Sequence, residues 1–190
     1  MIIGPYYNNP ITEEGYYEHF RTVAEEADIP VLIYNLPRVQ GEDVPISVIA
    51  RLAELDNILG IKNSTKNFVH IPQAIKICNE KKKSYMQGLA QNFLPSLILG
   101  AHGSITSILD VAPTIFVDIY DSFMRGDISK ARELQFKLLP LIRLGGSPVL
   151  VKAALEFLGH PVGPPRKPLM PATENEKRKI RDTLSSLDLI

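Results

Sequence analysis

The chain has 190 residues, 45% of them apolar, and its 21 basic and 21 acidic side chains give a formal net charge of zero. These values are typical of a globular domain, and the neutral balance disfavours nucleic acid or an acidic membrane surface as a partner. A single cysteine excludes an intrachain disulfide and suits a reducing, cytosolic setting. The four histidines show no metal-ligand spacing, and we expect neither a signal peptide nor a membrane span.

Short apolar runs bounded by turn-forming residues predict strands in the first half of the chain. Residues 30–34 and 58–62 are rich in β-branched side chains, whereas residues 84–88 and 103–107 give weaker patterns. Residues 2–3 resemble the end of a further strand. The sequence therefore predicts at most five strands.

Apolar residues at helical spacing predict helices between these strands. They cover residues 12–27, 46–53 and 68–78, and a short helix is predicted after Asn92. Beyond residue 107 the chain is predicted to be mostly helical. Helix start signals in this part are Asp127, Ser147 with a proline at the first helical position, and a capping box from Thr173 to Glu176.

Repeating βα units imply an α/β fold with a parallel sheet covered by helices, either a doubly wound open sheet or a (β/α)8 barrel. A barrel usually needs about 250 residues and eight strands. Because the chain is shorter and only five strands are predicted, the pattern alone favours the open sheet.

Two side chains with catalytic chemistry, Tyr34 and Lys62, end two predicted strands. The carboxyl ends of parallel strands build the active sites of α/β folds. Burial favours the neutral form of a lysine amine, which can attack a ketone and form a Schiff base, and a nearby phenol can relay protons. The alternative interpretation is that Lys62 only extends to solvent and that Tyr34 only packs.

Five sequence motifs follow one another along the chain. They are Gly4-Pro-Tyr-Tyr-Asn-Asn-Pro10, Ile33-Tyr-Asn-Leu-Pro37, Gly60-Ile-Lys62, Gly100-Ala-His-Gly-Ser-Ile105, and Pro148-Val-Leu-Val-Lys-Ala-Ala-Leu155 with Gly163-Pro-Pro-Arg-Lys-Pro168. In this order and spacing they resemble the family of dihydrodipicolinate synthase and N-acetylneuraminate lyase, which are pyruvate-handling class I aldolases on a (β/α)8 TIM barrel.

The resemblance implies a role for several residues. Lys62 matches the Schiff-base lysine and Tyr34 the catalytic phenol. Tyr7 matches a tyrosine that in many members reaches into the neighbouring subunit's site. Ile105 matches a residue whose backbone carbonyl lines the pocket, and Gly103 lies where the family keeps the backbone close to substrate.

The resemblance also implies a barrel that lacks its N-terminal part. Residues 1–126 would hold strands four to eight of the family's barrel, and residues 127–190 would form a C-terminal helical extension. The family's Gly-Thr-Thr-Gly-Glu-like loop, which binds the pyruvate carboxylate, has no counterpart in the 190 residues. We therefore expect a truncated barrel, or one that closes only with a second polypeptide or by self-association.

The resemblance implies a 2-keto acid substrate such as pyruvate, no metal or organic cofactor, and a homo-oligomer, either a dimer or a tetramer. The second substrate stays open. Val39 replaces the arginine usual in the synthase branch, and Ala90 and Gln91 replace the acidic residues of the sialic acid lyase branch. Ser107 could still contribute a hydroxyl to substrate binding.

The leading hypothesis is a pyruvate-dependent Schiff-base lyase or synthase in the cytoplasm, of the dihydrodipicolinate synthase or 2-keto-3-deoxy sugar acid aldolase type. The alternative is a catalytically inactive truncated barrel with a structural or interaction role. A nucleotide-binding open sheet is a distant third, because no glycine-rich phosphate loop follows a predicted strand.

Overall fold

The structure is a computed structural model, and it describes residues 1–7 and 10–190. Strands lie at all five positions that the sequence indicates, although the last is shorter than predicted. Within the described residues they are β1 (Ile2–Ile3), β2 (Val31–Asn35), β3 (Ile58–Asn63), β4 (Ser84–Gln87) and β5 (Gly103–Ser104).

The strands pair in parallel in the order β1-β2-β3-β4-β5, so each strand lies beside its neighbour in the sequence. The doubly wound open sheet favoured by the pattern alone is therefore wrong, because such a sheet reverses its strand order at a switch point. Sequential order with right-handed crossovers instead places the connecting helices on one face of the sheet.

Residues 1–105 form one compact unit, which contains the whole sheet. Thr12 begins its first helix, where the Thr12 hydroxyl accepts a hydrogen bond from the Gly15 backbone amide at 3.1 Å, as expected of an N-cap. The helices of this unit are α1 (Glu13–Glu26), α2 (Pro37–Gln40), α3 (Ile46–Leu52), α4 (His70–Glu80) and α5 (Phe93–Ile98).

The core of this unit lies between one face of the sheet and helices α1, α3 and α4. Side chains alternate between the two faces along a strand. Ile33, Ile61 and Tyr85 therefore face the helices, and each is at most 2% exposed. Tyr34 and Lys62 lie on the opposite face and are only half-buried. We call this second face the site face.

Residues 106–190 form a second compact unit, which is helical. The boundary predicted after residue 126 falls inside this unit. The predicted start signals are present: Ser147 and Thr173 cap their helices, and Thr173 and Glu176 form the capping box. The helices are α6 (Pro113–Met124), α7 (Ile128–Lys137), α8 (Leu139–Leu144), α9 (Pro148–Phe157) and α10 (Glu174–Ser186).

Among the described residues, no single helix is long and apolar enough to cross a membrane. The segments 128–144 and 148–157 are long and apolar enough only when taken together, and the chain bends by 115° between them.

Candidate active site

The strand register places one row of residues across the carboxyl end of the sheet. Ile3 pairs with Tyr34, Tyr34 with Lys62, and Lys62 with Met86, which in turn pairs with Gly103. The five positions are in register on neighbouring parallel strands, so the side chains of the first four share the site face, and Gly103 ends the row without a side chain. The row exists because β1 to β5 are arranged in sequence order.

Tyr34 and Lys62 are in direct contact within this row. The Lys62 Nζ lies 4.1 Å from the centroid of the Tyr34 ring. A lysine cation at this distance over an aromatic face is attracted by the ring quadrupole, typically by about 0.5–1 kcal/mol at an exposed site. The contact holds an amine next to a phenol; in general an amine can attack a ketone and a phenol can carry a proton.

Behind this pair, on the helix-facing side of the sheet, the next residue of each strand is an asparagine. Asn35 and Asn63 are both completely buried. The Asn35 Nδ2 donates one hydrogen bond to Asn63 Oδ1 at 2.8 Å and another to Asp43 Oδ1 at 2.7 Å. The second oxygen of Asp43 accepts from the Thr65 hydroxyl at 3.0 Å. We call Asp43, Asn35 and Asn63 the amide bridge.

A buried histidine, His70, contacts the Asn63 end of the amide bridge. Asn63 Nδ2 and His70 Nδ1 are 3.2 Å apart, and His70 Nε2 lies 2.9 Å from the Val44 carbonyl oxygen. Because that carbonyl can only accept, Nε2 donates and Nδ1 accepts from the amide, which fits a neutral imidazole. In the same layer, burial raises the pKa of the Tyr85 phenol, so Tyr85 stays protonated at physiological pH.

Gly88 allows the loop after β4 to approach the loop after β3. A Cβ atom at Gly88 would lie 1.9 Å from the Ser64 Oγ and 3.0 Å from the Asn63 carbonyl oxygen. The Gly88 amide donates to that carbonyl at 2.8 Å. A Cβ atom here would displace the Ser64 hydroxyl and crowd the Asn63 carbonyl, so glycine favours the close approach of the two loops.

Comparison with known proteins identifies the family. The sequence model of the dihydrodipicolinate synthetase family matches residues 1–187. The chain belongs to this family. It is 38% identical to the 4-hydroxy-tetrahydrodipicolinate synthase of Methanothrix thermoacetophila over 98% of its length, and 37% identical to that of Neisseria meningitidis serogroup B, also over 98%. It spans 64% of the length of each of these two relatives.

Solved structures of the dihydrodipicolinate synthetase family give the same result. The dihydrodipicolinate synthase of Thermotoga maritima superposes with a TM-score of 0.92 at 30% identity, covering 99% of this chain and 65% of that one. YagE from E. coli K12, solved in complex with pyruvate, gives a TM-score of 0.91 at 26% identity, again with 99% and 65% coverage. These likenesses indicate the TIM-barrel fold that the sequence motifs imply.

The remaining residues predicted from the family resemblance lie in different settings. Tyr7 follows β1 and its side chain is 80% exposed. Gly103 is buried in β5, where a Cβ atom would lie 3.0 Å from the Met86 Cε. The Ile105 amide donates to the Gln87 carbonyl oxygen at 2.9 Å. The motif from Gly4 to Pro10 includes residues 8 and 9, which lie outside the described residues.

Ser107 lies in the second compact unit and is exposed. Its hydroxyl donates to the Gly146 carbonyl oxygen at 2.8 Å, and a Cβ atom at Gly146 would lie 2.2 Å from the Ser107 Oγ. The Ser107 hydroxyl proton is therefore used in a contact within the unit, and its predicted role in substrate binding stays a prediction.

The amide bridge was not among the features predicted from the sequence. The available signal was the pair of asparagines that directly follow Tyr34 and Lys62, since a buried amide in a strand needs partners for its donors and acceptors. In residues 1–7 and 10–190, no three His, Cys, Asp or Glu side chains converge to hold a metal ion.

Proposed function

We propose that this family member forms a Schiff base between Lys62 and pyruvate, or a 2-keto acid that is cleaved to pyruvate, and makes or breaks a carbon–carbon bond. The observation that supports it is the 4.1 Å contact between Lys62 Nζ and the Tyr34 ring on the site face. The activity for which the relatives are named, 4-hydroxy-tetrahydrodipicolinate synthase, and the pyruvate bound in YagE support the same chemistry.

The reaction follows from the two side chains. Lys62 first loses its ammonium proton to solvent, and the neutral amine adds to the ketone carbon and gives a carbinolamine after one proton moves from nitrogen to oxygen. The Tyr34 phenol protonates the leaving hydroxyl, so water departs and leaves an iminium ion and a phenolate. The iminium accepts the electron pair that is released when a proton or a carbon substituent leaves C3 of the keto acid, which gives an enamine. The enamine takes up a proton, or adds to a carbonyl carbon, at C3 and becomes the iminium again. Addition of water then releases the keto acid and the Lys62 amine, and the phenolate recovers its proton.

The five strands are proposed to correspond to strands four to eight of the family's barrel. Their parallel sequential order and the share of the relatives' length that the chain spans, 64–66%, support this assignment. A homo-oligomer, with Tyr7 reaching into a neighbouring subunit's site, and a cytoplasmic location remain part of the same proposal. The exposed Tyr7 ring is compatible with such a contact.

Reductive trapping tests the proposed function. The chain is incubated with pyruvate and sodium borohydride, digested, and analysed by mass spectrometry. We expect one reduced pyruvyl adduct on the peptide that contains Lys62, because borohydride reduces an imine to a stable amine. A folded sample without an adduct on Lys62 would overturn the enzyme hypothesis and favour the alternative of an inactive barrel with a structural or interaction role.

Tyr34→Phe is expected to slow the formation of this adduct by roughly 100-fold, because general acid–base catalysis contributes about 10²–10⁴-fold. The variant keeps the aromatic face against Lys62 and removes only the hydroxyl. The measurement is the rate of adduct formation at saturating pyruvate. Tyr17→Phe is the matched control, since the Tyr17 ring in α1 contacts Arg51. Equal rates in Tyr34→Phe and wild type would exclude the phenol as proton carrier.

A further inference from the structure

The amide bridge joins β2 and β3 directly behind the Lys62–Tyr34 pair. Asn63 follows Lys62 and pairs in register with Asn35, which follows Tyr34. Since successive side chains point to opposite faces, each amide is fixed on one side of the strand end while the reacting side chain extends on the other. The amide on one face therefore fixes the orientation of the strand end, and the strand end sets the direction of the reacting side chain on the other face.

Asn35 uses its full hydrogen-bonding capacity in this arrangement. Its Nδ2 donates to Asp43 and Asn63, and its Oδ1 accepts from Gln40 Nε2 at 2.9 Å and from the Val44 amide at 3.0 Å. Two donors and two acceptors are the whole inventory of an asparagine amide. Asn35 is thus locked in one rotamer and one amide orientation.

Asn63 is locked in the same way. Its Oδ1 accepts from Asn35 Nδ2 and from the Thr65 amide at 3.2 Å, and its Nδ2 faces His70 Nδ1. Both oxygen contacts come from donors, so the amide cannot be flipped without placing donors against donors. A buried network with its members satisfied rigidifies the elements that it joins.

We propose that Asn63, held by Asn35 and Asp43, is a positioning residue that sets the orientation of Lys62 against Tyr34. The proposal rests on the imine chemistry proposed above. Lys62 has a long side chain, so a small rotation of the end of β3 moves Nζ farther than it moves the backbone. Misplacement of a reacting atom by about 1 Å can lower a rate on the order of 100-fold.

Asn63→Ala tests this inference in the full chain. We expect the maximal rate of reductive trapping to fall by roughly tenfold, with the half-saturating pyruvate concentration changed less than about twofold, because the orientation of the amine is altered rather than substrate binding. Phe20→Leu is the control for a general loss of stability. Phe20 lies on α1 and is buried in the hydrophobic core, so this variant should leave the maximal rate unchanged.

A spectroscopic measurement reports the position of the amine without substrate. Because Nζ lies over the Tyr34 ring, the Lys62 Hε resonances should be shifted upfield by the ring current in 13C-lysine-labelled wild-type protein. Asn63→Ala should move these resonances toward the values of exposed lysines.

If Asn63→Ala does not fold, Asp43→Ala replaces it, since Asp43 is the half-buried end of the amide bridge. It is expected to lower the maximal rate by roughly threefold.

The outcomes separate the two proposals. If the wild-type chain forms no adduct on Lys62, the proposed function is overturned, and the positioning role falls with it. If wild type forms the adduct, two results overturn the positioning role alone. One is a folded variant of the amide bridge that keeps the wild-type maximal rate and whose Lys62 resonances lie at the wild-type, ring-current-shifted positions. The other is a rate loss of equal size in Phe20→Leu, which would reflect stability only.

Discussion

Replacing Lys62 by methionine is expected to abolish the borohydride-dependent pyruvate adduct, with a rate loss on the order of 10⁴-fold or more. Methionine has a similar length and is apolar, but it has no amine to attack the ketone. The side chain is only half-buried, and its described contact is the Tyr34 ring. We therefore expect the free energy of unfolding to change by no more than about 1 kcal/mol, which is the size of the lost cation–π contact.

Two further variants complete the test of Lys62. Lys62→Arg keeps a cation over the Tyr34 ring but supplies no nucleophilic amine, so it should also give no adduct. Lys76→Met, at an exposed position in α4, is the matched control and should trap pyruvate at the wild-type rate. Digestion and mass spectrometry give the site of modification in each case. An adduct of wild-type yield in Lys62→Met would assign the imine to another lysine.

The positions of the strands could be predicted from the sequence because short apolar runs between turn formers are a local signal. The order of the strands could not, since it depends on which strands pair in three dimensions. The same βα pattern allows a doubly wound sheet or a barrel, and only the pairing of β1 with β2 through to β5 decides between them. Helix α6, by contrast, begins at Pro113, and this proline is a helix start signal in the sequence that did not enter the prediction.

In the candidate site, too, some residues could be predicted from the sequence and others could not. Lys62 and Tyr34 could be singled out from sequence because each ends an apolar strand. The amide bridge could not, because its contacts join residues that are far apart along the chain. Asn35 and Asn63 are separated by 28 positions, and His70 reaches back 26 positions to Val44. The Asn35–Asn63 hydrogen bond follows from the register between β2 and β3, and the His70–Val44 hydrogen bond from the packing of α4; no local pattern specifies either.

Gly60→Ala is expected to be among the most destabilising single substitutions in the chain, with a loss of about 3–5 kcal/mol in the free energy of unfolding. A Cβ atom at Gly60 would lie 2.0 Å from the Ser84 carbonyl oxygen and 2.8 Å from the Ser84 C and N atoms. These are backbone atoms of the neighbouring strand, paired with Gly60 in the sheet, so they cannot move aside without separating β3 from β4. Denaturant unfolding followed by circular dichroism measures the loss.

Gly126→Ala is the matched control for this prediction. Gly126 has a φ of +80°, but a Cβ atom there would meet no other atom within 4 Å. It should therefore cost only the strain of a left-handed alanine, about 1–2 kcal/mol. Because Lys62 lies two residues after Gly60 on β3, any folded Gly60→Ala protein should also trap pyruvate more slowly, whereas Gly126→Ala should not. Equal unfolding midpoints for Gly60→Ala and wild type would contradict the close approach of β3 and β4 on which the position of Lys62 depends.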